Sequence, residues 1–217
     1  MALYAERAAQ MVPAMTDIHR MVGVLLDERV PPDAKILVLG AGGGLETKAL
    51  ATVHPRWGFD AVDPSAPMLD LAVRTLGSDA SRVRTHHGYV DDAPPGPFDA
   101  ATSLLTLHFL PRDERVRTVA EVRRRLTPGA PFVAVHLSIP GDDETERRTW
   151  TDRHLAYLGT SGVDPGDLEK ARGAIAQTPV LTPDQDRAVI EEAGFVGVTQ
   201  FLAFSAFRGW VGYARVP

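Results

Sequence analysis

The chain has no cysteine. Disulfide staples and thiolate metal sites are thereby excluded, and with them the small secreted scaffolds that depend on either. The seven histidines include no His-x-x-x-His pair, and His86-His87, being adjacent, would point apart on a strand, so no metal is expected. Long apolar runs are also missing. Nothing approaches the roughly 20 residues that span a bilayer, and the N-terminus lacks the basic patch and apolar stretch of a secretion signal. The expectation is a cytoplasmic protein without membrane contact. Positive charge is in deficit, with 23 Lys and Arg against 28 Asp and Glu. A net charge of -5 argues against a polyanion as partner, even though Arg112, Arg115, Arg117, Arg123, Arg124 and Arg125 crowd one predicted helix. Nucleic acid is therefore not the expected partner.

What the chain does have is a buried strand running into glycines. Ile36-Leu37-Val38-Leu39 is followed by Gly40, Gly42 and Gly44, and a second apolar segment ends at Asp63. Four consecutive apolar residues suit a strand covered on both faces of a parallel sheet, and glycines let a ligand approach the backbone. Asp63 falls about one strand-helix-strand repeat later, where a ribose diol would lie. A dinucleotide fingerprint would need glycine at position 45, where this chain has Leu45.

At 217 residues the chain is the size of one α/β domain with some decoration. Residues 3–29 carry apolar positions at helical spacing and are split by Pro13 into two short helices, an N-terminal lid (1–30) over the core. Within a core over 31–137, helices are predicted near 45–54, 65–76 and 112–126. A polar helical insert follows over 138–182 and is expected to cap the substrate side. Thr182-Pro183-Asp184-Gln185 reads as a helix N-terminus, stopped at Gly194. Strands near 196–204 and 207–215 close the chain. Monomer and homodimer both remain open.

The Gly-x-Gly-x-Gly spacing and the run Asp63-Pro64-Ser65-Ala66-Pro67-Met68-Leu69 resemble the class I S-adenosylmethionine (SAM) methyltransferases. Later landmarks fall in the same order: 98–105 as strand four, Leu126-Thr127-Pro128-Gly129 as the turn before strand five, and Glu192-Ala193-Gly194-Phe195 before strand six. The resemblance implies a Rossmann-like fold, a seven-stranded mostly parallel sheet with an antiparallel last strand. It also implies SAM as cofactor, S-adenosylhomocysteine (SAH) as product and a small-molecule acceptor. Gly40, Ala41, Gly42, Gly44, Asp63, Pro64, Met68, Tyr89, Val90 and Leu104 would bind the cofactor, with backbone amides of the glycine turn on its methionine end and Asp63 on the ribose. Asp63 followed by Pro64 also reads as a helix cap. The family often carries an acid where this chain has Val38, and Gly-Asp where it has Gly88-Tyr89, so the ammonium must find another partner and Asp91 or the Val90 backbone would read the adenine.

His136, ending strand five, and His108, after strand four, are the candidate bases, with a loop-anchoring role as the other reading of His108. Trp150, His154 and Tyr157 share one face of a predicted helix and would line an acceptor pocket or pack that helix on the core. Tyr4, Met11 and Met15 would cover the cofactor or form the apolar stripe of the lid. The segment around Val12-Pro13-Ala14-Met15, the run 105–110 and the length of the insert are further similar to the carboxy-SAM synthases, which make carboxy-SAM from SAM and prephenate for tRNA wobble-uridine modification. Positions of that family's ligand-contacting tyrosine, strand-four asparagine and carboxylate-binding arginine correspond to Met15, Leu104 and about Val189. Those losses favour methyl transfer over carboxy-SAM chemistry. A SAM- or SAH-binding protein without turnover is the third reading.

Overall fold

A computed structural model describes residues 2–141 and 143–216, with residues 2–5 described by their backbone alone, so the side chain of Tyr4 lies outside the described residues. Among the described residues seven strands form one sheet: β1 (Lys35–Leu39), β2 (Gly58–Asp63), β3 (Val83–His87), β4 (Ala100–Leu104), β5 (Pro131–Leu137), β6 (Phe195–Phe204) and β7 (Phe207–Ala214). Their spatial order is β3-β2-β1-β4-β5-β7-β6. Pairing is parallel throughout β1 to β5, and β7 runs antiparallel to both neighbours. This is the Rossmann-like arrangement expected from the sequence. Strand order reverses beside β1, where the crevice at the carboxyl ends of the strands opens.

Helices fill both faces. The lid comprises α1 (Ala2–Met11) and α2 (Met15–Asp27), separated at Pro13, with Ala14 in the left-handed region at φ 55°. The helices expected near 45–54, 65–76 and 112–126 run as α3 (Leu45–Val53), α4 (Ala66–Leu76) and α5 (Arg112–Arg124). The insert is a pair of helices, α6 (Glu144–Thr160) and α7 (Pro165–Gln177). In α8 (Pro183–Glu192), Thr182 Oγ1 accepts from the Gln185 amide and Gln185 Oε1 from the Thr182 amide, the reciprocal cap its sequence announces. Strand four is shorter than 98–105. Phe98 makes only an isolated bridge to Leu126, while Leu105 turns into the left-handed region at φ 60° and ends the strand.

Alternation along the strands divides the core in two. Phe132 and Ala134 of β5 pack with Trp210, Val119, Val122 and Ile190 beneath α5 and α8. Val133 and Val135 pack the other way, with Val22, Leu26, Leu50 and Phe207 beneath α2 and α3. Among the described residues no helix is long and apolar enough to cross a membrane.

Candidate cofactor site

β1, β2 and β4 end side by side at Gly40, Asp63 and Leu104, and a cleft follows their tips. One part, about 380 Å³, is lined by Gly40, Ala41, Gly42, Glu46, Asp63, Pro64, Met68 and Leu104, with Met15 and His19 of α2 across from them. A second part, about 650 Å³, is lined by Gly88, Tyr89, Val90 and Arg117 among others. Gly40, Pro64, Thr106 and Phe109 line both, so the two are continuous. Nine of the ten predicted binding residues thus line one cleft. Gly44 does not; it lies under it.

Backbone geometry explains two of the glycines. Gly40 has φ 74°, and a Cβ there would stand 1.9 Å from Thr106 Oγ1, while Gly44 has φ 80° and would place a Cβ 2.9 Å from Ala72 Cα. Any side chain would push β1 off β4, or α3 off α4. The turn's amides, however, are not free for a ligand as the sequence suggested. Gly40 and Ala41 donate to Val62 O at 2.8 and 3.0 Å, Gly44 to Ala41 O at 3.0 Å, and Gly42 to Asp63 Oδ2 at 2.8 Å. The turn contributes shape, and the donors for an anionic group are the first-turn amides of α3, which have no intrahelical partner.

Asp63 caps the entry to α4, as Pro64 after it suggests, and also holds the glycine turn. Oδ1 accepts from the Ser65 amide at 2.8 Å, fixing the entry to α4, and Oδ2 holds Gly42. Each carboxylate oxygen keeps a second acceptor site, enough for the two hydroxyls of a ribose. Further along, the Asp91 carboxylate is bound to Arg117 Nη1 at 3.0 and 3.2 Å, which leaves Gly88, Tyr89 and Val90 to face the cleft there.

The candidate bases lie elsewhere. His136 has the strand alternation expected of it, but its face of β5 is covered by α8, and it is 1% exposed. Its Nε2 stands 3.1 Å from Asp186 Oδ1, though neither ring nitrogen is aligned for a hydrogen bond. Asp186 is ion-paired with the wholly buried Arg115. Burial would raise the Asp186 carboxyl, but His136 and Arg115 together hold it below its ordinary value. His108 turns into the same interior, its ring 6.5 Å from that of His136, and Nδ1 receives the Leu137 amide at 3.4 Å. Burial, then the charges of His136 and Arg115, push it down to about 3. Neither histidine lines the cleft, so both serve to tie β5, α5 and α8 together. The loop-anchoring reading of His108 is the one its contacts match.

Trp150, His154 and Tyr157 likewise pack α6 onto the β6–β7 turn. His154 Nδ1 is 2.9 Å from Ser205 Oγ and its ring meets Phe207 edge-on, Tyr157 meets Phe204 edge-on at 5.3 Å, and Trp150 packs against the small cluster around Ile139, Val180 and Ala206. They line neither part of the cleft. The insert is tied to the lid where Asp167 of α7 pairs with Arg7 of α1 at 3.3 Å. Five of the six clustered arginines close on carboxylates: Arg112 on Glu192, Arg115 on Asp186, Arg117 on Asp91, and Arg124 and Arg125 on Glu121.

Two cleft residues escaped the sequence reading. Glu46, in the first turn of α3, is 6% exposed, and its Oε1 has no hydrogen-bond partner. Burial pushes its carboxyl up to about 7, and the neighbouring Thr102 hydroxyl, itself unpartnered, offsets this only in part. His19 of α2 lines the cleft beside Met15, and burial lowers its pKa from 6.5. Helical spacing held the signal for both. Glu46 stands four residues before Leu50, and His19 three before Val22, each on the buried stripe of its helix.

Residues 36–129 match the family model described as a methyltransferase domain. The chain is 26% identical over 220 residues to the carboxy-S-adenosyl-L-methionine synthase of Chromohalobacter salexigens, covering 98% of this chain and 80% of that one. Among solved structures, an O-methyltransferase family protein from Burkholderia thailandensis superposes with a TM-score of 0.64 at 16% identity, over 93% of this chain and 57% of that one. The S-adenosylmethionine-dependent methyltransferase SibL gives a TM-score of 0.65 at 17% identity, over 91% and 55%. The chain spans little more than half the length of those two structures. The domain match falls on the strands and glycine turn that frame the cleft, and the likeness to solved methyltransferases is a likeness of the Rossmann-like fold that carries them.

Proposed function

We propose that this chain methylates a small, largely apolar acceptor bound between the lid and the tip of β4. The observation that carries the reading is the continuity of the cleft: glycine turn and Asp63 on one side, Tyr89 and Val90 at the far end, and the lid residues Met15 and His19 facing β4. Asp63 would hold the ribose through its two remaining acceptor sites, and the first turn of α3 would take the carboxylate of the methionine end. SAM, once bound, supplies a methyl group on a sulfonium whose departure as a neutral thioether needs no proton. The protein's part is then to orient the acceptor and keep water out. Ala8, Leu104, Leu105 and Phe109 make the lining beside His19 predominantly apolar. His19, kept neutral at pH 7 by burial, is the group able to remove a proton from an acceptor hydroxyl or amine.

The likeness to carboxy-SAM synthases supports a second reading, carboxy-SAM formation. Against it, Met15 and Leu104 give the cleft apolar surface where that chemistry implies polar contacts, and Val189 is buried in the core at 1% exposure. Incubation with SAM and prephenate should yield no product of the mass of carboxy-SAM.

Isothermal titration with SAH, followed by an acceptor screen, tests the leading reading. Asp63→Ala should weaken SAH by at least about tenfold, the loss of two hydrogen bonds to a charged group. His19→Ala should leave SAH binding within about twofold and reduce kcat by roughly 10²-fold for an acceptor that arrives protonated. Unchanged SAH affinity in Asp63→Ala would remove the assigned ribose contact.

A further inference from the structure

We infer that Glu46 is the acidic partner of the ligand's α-ammonium group, and that this one carboxylate recognises the charge at the cofactor's amino-acid end that the α3 amides do not. The inference rests on SAM as the ligand of the cleft. An ammonium buried beside the glycine turn needs an anion, because a charge taken out of water without a partner is expensive. Val38 of β1 is wholly buried and apolar and cannot supply one. Among the described residues, the acids lining this part of the cleft are Asp63, whose oxygens each bind one amide and whose remaining acceptor sites are assigned to the ribose, and Glu46, whose Oε1 has no partner. His19, the remaining titratable group of the lining among the described residues, is held towards its neutral form by burial.

Glu46 is also costly where it stands. A carboxylate 94% out of water, beside a Thr102 hydroxyl that makes no hydrogen bond, is a group the fold would gain by replacing. An incoming cation removes the cost. At the start of α3 the carboxylate also benefits from the positive end of the helix. Because burial holds the carboxyl up to about 7, the free protein carries a proton there in part at neutral pH. The arriving ammonium favours the ionised form, so binding expels that proton to solvent.

The test is titration calorimetry of the full chain with three ligands: SAM, SAH, and 5′-deoxy-5′-methylthioadenosine, which has the adenosine and sulfur but no amino-acid end. Glu46→Gln should weaken SAM and SAH by about 30-fold and methylthioadenosine by less than about twofold, the effect of removing one charge from a buried pair. In the unmodified protein, titrations in buffers of different ionisation enthalpy should show net proton release on binding SAH at pH 6 to 7, and none with methylthioadenosine. SAH affinity should rise from pH 6 to pH 8. The proton count needs no variant, so it holds even if Glu46→Gln folds poorly. Equal losses for SAH and methylthioadenosine, or SAH binding without proton release, would overturn the role of Glu46 while leaving the SAM site intact. If none of the three ligands bound, the SAM reading would fall with it.

Discussion

A single carboxyl, Glu46, sets function against stability in this fold. Its pKa is raised from 4.5 to about 7 in the folded, ligand-free protein, so between those values the native state keeps a proton that the unfolded chain releases. The sign follows: below pH 4.5 the burial of Glu46 is free of electrostatic cost, the cost accumulates as pH rises towards 7, and above 7 it is complete, on the order of 3 kcal/mol. Glu46→Gln carries no such titration. Denaturant unfolding of ligand-free protein should therefore find the variant more stable at pH 8, by roughly 2 kcal/mol once the unpaired amide is allowed for, and little different at pH 4.5. Equal stability of the two proteins at both pH values would mean that water reaches the carboxyl. The cleft-lining residues of β1 and β2 were legible because glycines before a helix and an acid at a strand end are local features. His136 was misleading for a nonlocal reason. Alternation placed it on the correct face of β5, but the helix covering that face, α8, begins at Pro183, nearly fifty residues later.

Elements were legible wherever their ends carried a chemical signal. Thr182 and Gln185 announced α8, Pro13 separated α1 from α2, and the apolar run before Gly40 announced β1. For α6 the spacing of Trp150, His154 and Tyr157 defines one stripe and leaves open whether it meets a pocket or the core, because spacing along a helix says nothing of what lies opposite. The surface opposite is the β6–β7 turn. Tyr157, 37% exposed and edge-on to Phe204, should accordingly act on stability alone. Thermal unfolding of Tyr157→Ala should show a loss of about 1 kcal/mol, from the ring contact and partial burial, with SAH affinity unchanged. A changed KM for the acceptor, with stability unaltered, would return α6 to the acceptor pocket.

At the scale of the molecule, the cleft is lined jointly by the carboxyl ends of β1, β2 and β4, by α3 and α4, and by the lid. A ligand seated there should stabilise all of them together. At 100 times its Kd, SAH would add about 2.7 kcal/mol, which for a chain of 217 residues corresponds to a rise in Tm of roughly 5 to 10 °C. Differential scanning calorimetry with and without SAH reads it directly, and an unchanged Tm at saturating ligand would contradict a site shared by lid and core. The fold class was recoverable from sequence because the order of landmarks is nearly the order of strands, from the glycine turn to Gly194. The lid's docking was less so, since Met15 and His19 reach the cleft from a helix that precedes the sheet altogether.

The place of β7 has a consequence for how the protein is made. Although last of the strands in chain order, it lies inside the sheet between β5 and β6, and β6 pairs with nothing else. During synthesis β5 therefore presents a bare edge, and β6 emerges with no neighbour to join, until residues 207–214 have left the ribosome. The nascent sheet passes through an interval with an open edge suited to pairing with another chain. Its completion waits on Phe207–Ala214, the segment that closes that edge and gives β6 its place.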